Sequence, residues 1–276
     1  MSLMLRLLAI TLLLSSLAEA NASDKKVESF LKNVFTRNPN ISSIKVKVTN
    51  SAPLKQYKGW SVYFVELDAM LKKEEREVKQ KMIWFSNGST ITKELFDINS
   101  GKDIRDFVSL AFKDEYYSKE NLIYGNANAK HKVVIFSDPL CPFCRNFVPG
   151  AIEYMKKAPR KFAVYYYHFP LPALHPAAVE LVKAAVALEL KGRKNVVLDL
   201  YKVKVDPREK SKEKILEAFN KAMNSNIKES DLLSKAVKEH IKHDLEVADS
   251  VMINGTPTIF FDGIVDKTKK KYKEAK

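Results

Sequence analysis

A run of four apolar residues, 133–136 (VVIF), closely precedes the only two cysteines of the 276-residue chain, Cys141 and Cys144. Four consecutive apolar residues are typical of a short strand that is covered on both faces. Pro142 is a residue type favoured at the first position of a helix. The segment therefore predicts a buried strand, a short turn and a helix whose first turn carries both cysteines.

The two-residue spacing of the cysteines favours redox chemistry. Disulfide exchange needs one reactive thiolate and a second thiol that can resolve the mixed disulfide, and the N–H groups at a helix N-terminus stabilise a thiolate. Cys141 is the predicted nucleophile, and Cys144 is the more buried resolving thiol. Pro142, Phe143 and Arg145 lie between or next to them and are predicted to tune the pair.

Other uses of a cysteine pair fit this chain poorly. A structural zinc site needs four ligands, and the sequence supplies one cysteine pair without histidines at finger spacing. Covalent haem attachment needs Cys-x-x-Cys-His, and residue 145 is an arginine. A structural disulfide across so small a loop restricts the unfolded chain very little. We therefore predict a redox pair with neither a metal nor another cofactor.

Residues 1–20 have the pattern of a secretory signal peptide. Arg6 precedes a short apolar run at 7–14, and Ala18 and Ala20 form a small-residue cleavage pattern. The apolar run is shorter than the roughly 20 residues that a membrane-spanning helix needs. We therefore predict an exported protein, in a compartment where thiols tend to be oxidised.

The chain carries a formal net charge of +14. Its lysines are spread along the sequence, which favours a solvated basic surface over a nucleic-acid site. No nucleic-acid partner is predicted. Of the histidines, His168 and His175 are expected to serve packing or capping, whereas His240 and His243 are expected to be solvated.

The part of the chain before residue 100 predicts a small α+β domain, 21–100. Residues 24–36 have apolar positions at helical spacing, and Asn87-Gly88 is a strong hairpin signal. Four β-rich segments follow the helix, at 43–49, 60–67, 77–86 and 90–98. Because the domain holds no histidine or cysteine, we expect it to serve binding or assembly.

The rest of the chain predicts a linker and a catalytic domain. Residues 101–130 read as an amphipathic linker helix, and 131–276 as the catalytic domain. Within that domain, 162–169 is β-rich, a mostly helical insertion covers about 172–252, and 254–263 supplies a turn, a strand and another turn.

The segments VVIFSDPLCPFCRNF and GTPTIFFDG together resemble thioredoxin-fold proteins of the bacterial Dsb group. The resemblance implies an α+β chain in which a thioredoxin-fold catalytic domain with a helical insertion follows a small cystatin-like dimerisation domain and a helical linker. It also implies that Pro257 is cis and faces the cysteine pair, and that the main chain of Thr256 presents itself to a bound client. The periplasm is the implied location.

Features of two branches of that group are mixed in this chain. The first domain, the linker and Asp138 resemble the dimeric isomerases DsbC and DsbG. Pro142 and the long insertion resemble DsbA-type oxidases, but Ile135 stands where those carry a buried glutamate. A homodimeric isomerase is favoured, with unfolded or misoxidised exported proteins as clients and a DsbD-like membrane reductant. An oxidase served by a DsbB-like partner, or a chaperone without redox activity, is the alternative.

Overall fold

The computed structural model describes residues 23–275, which form two compact units. The first unit ends at Val108 and the second begins at Ser109. The signal peptide predicted at 1–20 lies outside the described residues. Within the described part of the chain, no helix is both long and apolar enough to cross a membrane.

The first unit is a helix packed on an antiparallel sheet. Helix α1 covers 23–36. The sheet has the order β1 (Ile41–Pro53), β2 (Ser61–Leu71), β3 (Arg76–Ser86) and β4 (Ile91–Thr92). Val27 and Leu31 of α1 are buried against Tyr63, Val65 and Trp84 of the sheet. The helix and the β-rich segments expected here are present, although β4 is only two residues long.

The turn between β3 and β4 is built by the predicted Asn-Gly pair. Gly88 has φ +89°, in the left-handed region that glycine adopts without strain. Asn87 Oδ1 accepts a 2.8 Å hydrogen bond from the Thr90 amide. The turn thereby aligns Ser86 opposite Ile91 in the antiparallel pair.

Residues 101–130 do not form the predicted linker helix. Their regular elements are two short 3-10 turns, Ile104–Phe107 and Asp114–Tyr116, and strand β5 (Leu122–Tyr124). Most of the segment falls in the second unit, since that unit begins at Ser109. The prediction of a helix is therefore wrong for this stretch.

Packing of one aromatic residue explains the difference. Phe112 is only 3% exposed and packs against the rings of Phe136, Tyr167 and Phe260. Its apolar character therefore reflects insertion into the core of the second unit and not the buried face of a linker helix.

The second unit is built on a five-stranded sheet in the order β5-β7-β6-β8-β9. Its further strands are β6 (His131–Ser137), β7 (Phe162–His168), β8 (Thr258–Phe261) and β9 (Ile264–Val265). β6 and β7 run parallel, and the other neighbours are antiparallel. Helix α2 (Pro142–Lys156) connects the two parallel strands. Because β6 is central and covered on both faces, its run 133–136 is apolar throughout.

The predicted helical insertion lies between β7 and β8. Its helices are α3 (Pro176–Leu190), α4 (Val196–Leu200), α5 (Lys212–Met223), α6 (Glu229–Leu232) and α7 (Lys235–Ser250), and a short α8 (Lys271–Glu274) follows the sheet. The insertion has a core of its own, in which Leu181 and Val182 of α3 meet Phe219 of α5. The unit is thus an α+β domain with a helical insertion, as expected.

The two faces of the sheet bury different sets of side chains. Ile135 and Tyr166 lie on the face that packs against α2 and the cysteines. Phe136 and Tyr167 lie on the opposite face, together with Val247 of α7. The alternation follows from the period of two along a strand, and it directs Tyr166 toward the cysteine pair.

Candidate active site

Both cysteines lie at the N-terminal end of α2, shortly after β6 ends. Cys141 is the N-cap residue of α2, with Pro142 following at the helix start, and Cys144 lies in the first turn. Both are free thiols. Cys144 is 0% exposed and Cys141 only 5%, so the predicted nucleophile is nearly as enclosed as the predicted resolving thiol. Phe143, between them, is 75% exposed.

The environment of Cys144 opposes ionisation. Burial raises the pKa of Cys144 to about 11, and the nearby Cys141 adds to the increase. The hydroxyl groups of Ser137 and Thr256 act in the opposite direction, because they favour the thiolate. Thr256 Oγ1 is buried beside the Cys144 sulfur and forms no other hydrogen bond among the described residues. It is therefore available to a thiolate or to a bound group.

Thr256 and Pro257, which directly precede β8, lie close to the cysteines. The Thr256–Pro257 peptide is cis, as the resemblance implied. Cys141 Sγ lies 3.6 Å from the Thr256 carbonyl oxygen, to which its thiol donates. The structure thus brings together four of the predicted site residues, Cys141, Cys144, Thr256 and Pro257.

Asp138 holds the loop that leads to Cys141. Its side chain is fully buried. Oδ1 accepts hydrogen bonds from the amides of Leu140 at 2.7 Å and Cys141 at 3.2 Å. Oδ2 accepts from the Leu171 amide at 2.8 Å and from His175 Nδ1 at 3.0 Å. One carboxylate therefore holds both the loop 138–141, called the reactive loop below, and the beginning of the insertion.

Arg145 joins the segment before α2 to the helical insertion. Its Nε donates to the Pro139 carbonyl at 2.8 Å, and its Nη2 donates to the Val203 carbonyl at 2.5 Å. Partial burial lowers the pKa of Arg145 from its ordinary value. The guanidinium thus joins the reactive loop to the insertion, and its hydrogen bonds go to carbonyls instead of the sulfur atoms.

A chain of buried hydroxyl groups lies beneath Cys144. Ser137 Oγ is 2.6 Å from Tyr201 OH, and Tyr201 OH is 2.8 Å from Tyr166 OH. All three residues are buried. Sequence reasoning missed this group, since Tyr201 follows α4 and no local pattern connects it to β6. In the sequence, the only indication of a buried polar group was a serine, Ser137, at the end of a buried strand.

A second buried polar cluster lies at the end of β7. Asp244 accepts hydrogen bonds from Asn121 Nδ2 at 2.6 Å and from the His168 amide at 2.8 Å. Burial raises the pKa of Asp244 to about 7 and lowers that of His240 to about 4. The His240 side chain is only 11% exposed. The expectation that His240 is solvated is therefore wrong.

A family model described as Thioredoxin matches residues 117–276. The chain belongs to the thioredoxin family. The resemblance to thioredoxin-fold proteins seen in the sequence is thereby confirmed. The chain thus combines a thioredoxin-family domain with two free thiols at the start of α2.

The curated relatives are longer proteins. The Na(+)/H(+) antiporter NhaA 1 of Mycolicibacterium gilvum is 30% identical over 146 residues, which are 51% of this chain and 23% of that protein. The protein of the same name from Mycolicibacterium vanbaalenii is 27% identical over 150 residues, or 52% and 24%. The chain thus spans about a quarter of the curated relatives that it matches.

Similar solved structures cover a little more than half of the chain. A thioredoxin-like oxidoreductase from Silicibacter pomeroyi has 18% identity and a TM-score of 0.46, over 58% of this chain and 96% of that one. The thiol-disulfide exchange protein alpha-DsbA2 from Wolbachia pipientis has 18% identity and a TM-score of 0.46, with coverages of 59% and 89%. A periplasmic thioredoxin-like protein from Salmonella enterica serovar Typhimurium has 20% identity and a TM-score of 0.46, with coverages of 59% and 94%.

Proposed function

We propose that the protein is an exported, homodimeric disulfide isomerase that acts on unfolded or misoxidised proteins in the periplasm. The observation that carries the exchange chemistry is the position of Cys141, 3.6 Å from the Thr256 carbonyl and beside the exposed Phe143. An extended client strand that pairs with the main chain at Thr256 would bring its disulfide to the sulfur of Cys141.

Isomerisation by this pair needs no net transfer of electrons. The Cys141 thiolate attacks a client disulfide, so that a bond forms between Cys141 and one client sulfur while the client's own S–S bond breaks. The released client thiolate then attacks another disulfide of the client, and Cys141 leaves as a thiolate. Cys144 enters only when the mixed disulfide fails to rearrange, and it then releases the client in reduced form.

Support for the isomerase comes from the first unit. It combines α1 with a four-stranded sheet, and its sequence between 23 and 108 holds no cysteine or histidine. Such a unit suits assembly better than chemistry. In this proposal it joins two copies of the chain, and a DsbD-like membrane reductant keeps Cys141 and Cys144 reduced.

The alternative is a DsbA-like oxidase, which the Pro142-Phe143 dipeptide and the five-helix insertion favour. In that reaction the Cys141–Cys144 disulfide accepts two electrons from a pair of client thiols, and a DsbB-like membrane oxidant must restore it. A chaperone that binds clients without exchange is a further alternative.

Refolding of scrambled ribonuclease separates the three activities. We expect Cys141→Ala to abolish isomerisation and Cys144→Ala to retain part of it, because rearrangement within the mixed disulfide needs only Cys141. Equal loss in both variants would favour the oxidase, and full activity of Cys141→Ala would favour the chaperone. Alkylation trapping in intact cells gives an independent answer, since a mostly oxidised pair contradicts the isomerase.

The assembly is tested separately by sedimentation of the intact mature chain. A homodimer at micromolar concentration is the expected result, and a monomer would contradict this part of the proposal. The exchange activity itself does not depend on that outcome.

A further inference from the structure

The resolving thiol poses a chemical problem. Cys144 must act as a thiolate to attack the mixed disulfide, yet it is fully buried and burial raises its pKa to about 11. The strand beneath it offers no carboxylate, because Ile135 is apolar and 0% exposed. The nearest buried carboxylate, Asp138, already accepts four hydrogen bonds from the loop and the insertion. Stabilisation of the thiolate must come from neutral groups.

The three buried hydroxyl groups have the geometry to provide it. Each hydroxyl donates one hydrogen bond and can accept two. Ser137 lies next to the Cys144 sulfur, with Tyr201 OH 2.6 Å behind it and Tyr166 OH 2.8 Å further on. If Ser137 donates to the sulfur, Tyr201 donates to Ser137 and Tyr166 donates to Tyr201. The chain then aligns every O–H dipole toward the sulfur.

The tyrosines keep their protons throughout. Burial raises the pKa of Tyr166 and of Tyr201 well above the ordinary value, and the nearby Cys144 sulfur adds to the increase in both. They therefore act as fixed donors and never as competing anions. Aligned hydrogen bonds also strengthen one another in a medium of low dielectric constant.

We propose that Ser137 is a catalytic residue for the resolving step, which stabilises the Cys144 thiolate by direct donation, and that Tyr201 and Tyr166 are positioning residues that orient its hydroxyl. The inference rests on the proposed exchange function. In the step, Cys144 loses its proton to solvent and attacks Cys141, so that the Cys141–Cys144 bond forms and the bond from Cys141 to the client breaks. The client sulfur leaves with the electron pair and takes a proton from solvent.

Other ionisable groups surround the pair and set the background for any pH profile. They are Asp138 and Cys141 before α2, Arg145 within α2, Tyr166 and His168 in β7, His175 before α3 and Tyr201 after α4. Of these, Cys141 itself reacts and becomes part of a disulfide, so the assay must observe the reactions of the two thiols in separate phases.

Stopped-flow reaction of the reduced, intact chain with dithiobis(nitrobenzoate) provides that separation. Attack by Cys141 releases one coloured thiolate, and resolution by Cys144 releases a second. We expect Ser137→Ala to slow the second phase about tenfold at neutral pH and to move its pH profile up by about one unit, while the first phase is unchanged. Tyr201→Phe should slow it roughly threefold, and Tyr166→Phe less.

Tyr165→Phe is the matched control, since Tyr165 is a buried tyrosine of the same strand that faces the opposite side of the sheet. It should leave both phases unchanged. The proposal is overturned if Ser137→Ala leaves the second phase at the wild-type rate, or if it slows both phases equally, as a general loss of structure would. A wild-type chain that released only one thiolate would instead overturn the exchange function itself.

Discussion

Replacement of Asp138 by asparagine should destabilise the second unit without changing the shape of the side chain. The carboxylate accepts four hydrogen bonds, from the amides of Leu140, Cys141 and Leu171 and from His175. An asparagine oxygen can keep two of them. Its NH₂ group then faces the Leu171 amide and His175, which are donors themselves.

The magnitude follows from these contacts. Hydrogen bonds to a charged group contribute about 1.5–3 kcal/mol each, and an unsatisfied buried donor costs about 1–3 kcal/mol. His175 can move its proton to Nε2 and accept from the new amide, which recovers part of the loss. The Leu171 amide has no such option. We therefore expect Asp138→Asn to lower the free energy of unfolding by about 2–4 kcal/mol and Tm by roughly 5–15 °C.

Calorimetry and far-UV circular dichroism of the full chain measure this change. Both tryptophans, Trp60 and Trp84, belong to the first unit, so their fluorescence reports on that unit alone. Asp206→Asn is the control, because Asp206 is exposed and its side chain accepts a hydrogen bond from the Arg208 amide. It should change stability by less than about 0.5 kcal/mol. Equal Tm values for Asp138→Asn and Asp206→Asn would refute the reasoning.

Four further substitutions test other parts of the structure. Gly125→Ala should destabilise the protein strongly in chemical denaturation, because φ is +84° and the new Cβ would overlap the Phe162 carbonyl. Gly88→Ala is its control: φ is +89°, but no atom lies near the new Cβ, so the cost should be only about 1 kcal/mol. Leu181→Ala should cost about 2–5 kcal/mol in the same assay, because Leu181 is fully buried in the insertion. Burial lowers the pKa of His240 to about 4, so wild-type stability contains a contribution that is lost as pH falls from about 6.5 to 4. The free energy of unfolding of His240→Gln minus that of wild type should therefore be about 1–2 kcal/mol larger at pH 5 than at pH 7. The same difference at both pH values would contradict the lowered pKa.

Local sequence patterns predicted the parts of the site that are local in the chain. The strand 133–136, the cysteines at the start of α2 and the helical insertion all follow from residue type and spacing. The cis peptide before Pro257 came from the family resemblance, because no short-range pattern determines which proline is cis. These features together explain why the position of the thiol pair and of the facing cis-proline could be predicted.

The features that the sequence did not predict depend on distant contacts. Ser137 and Tyr201 are separated by 64 residues but lie within a hydrogen bond of each other. Phe112 is apolar because it enters the core of the second unit, and in the sequence it appeared as one position of an amphipathic helix. Arg145 donates to the carbonyls of Pro139 and Val203, and Val203 is 58 residues away in the sequence. Periodicity carries no information on such pairings.

The insertion limits how far the second unit can be shortened to a minimal domain. A shortened chain that closes the gap from 172 to 252 would keep every strand and both cysteines. It would also remove His175 from Asp138, the Val203 carbonyl from Arg145 and the Tyr201 hydroxyl from Ser137. Three polar side chains around the cysteine pair would each lose a partner at once. The insertion therefore supports the candidate site structurally, and a chain without it should hold the two thiols in displaced positions.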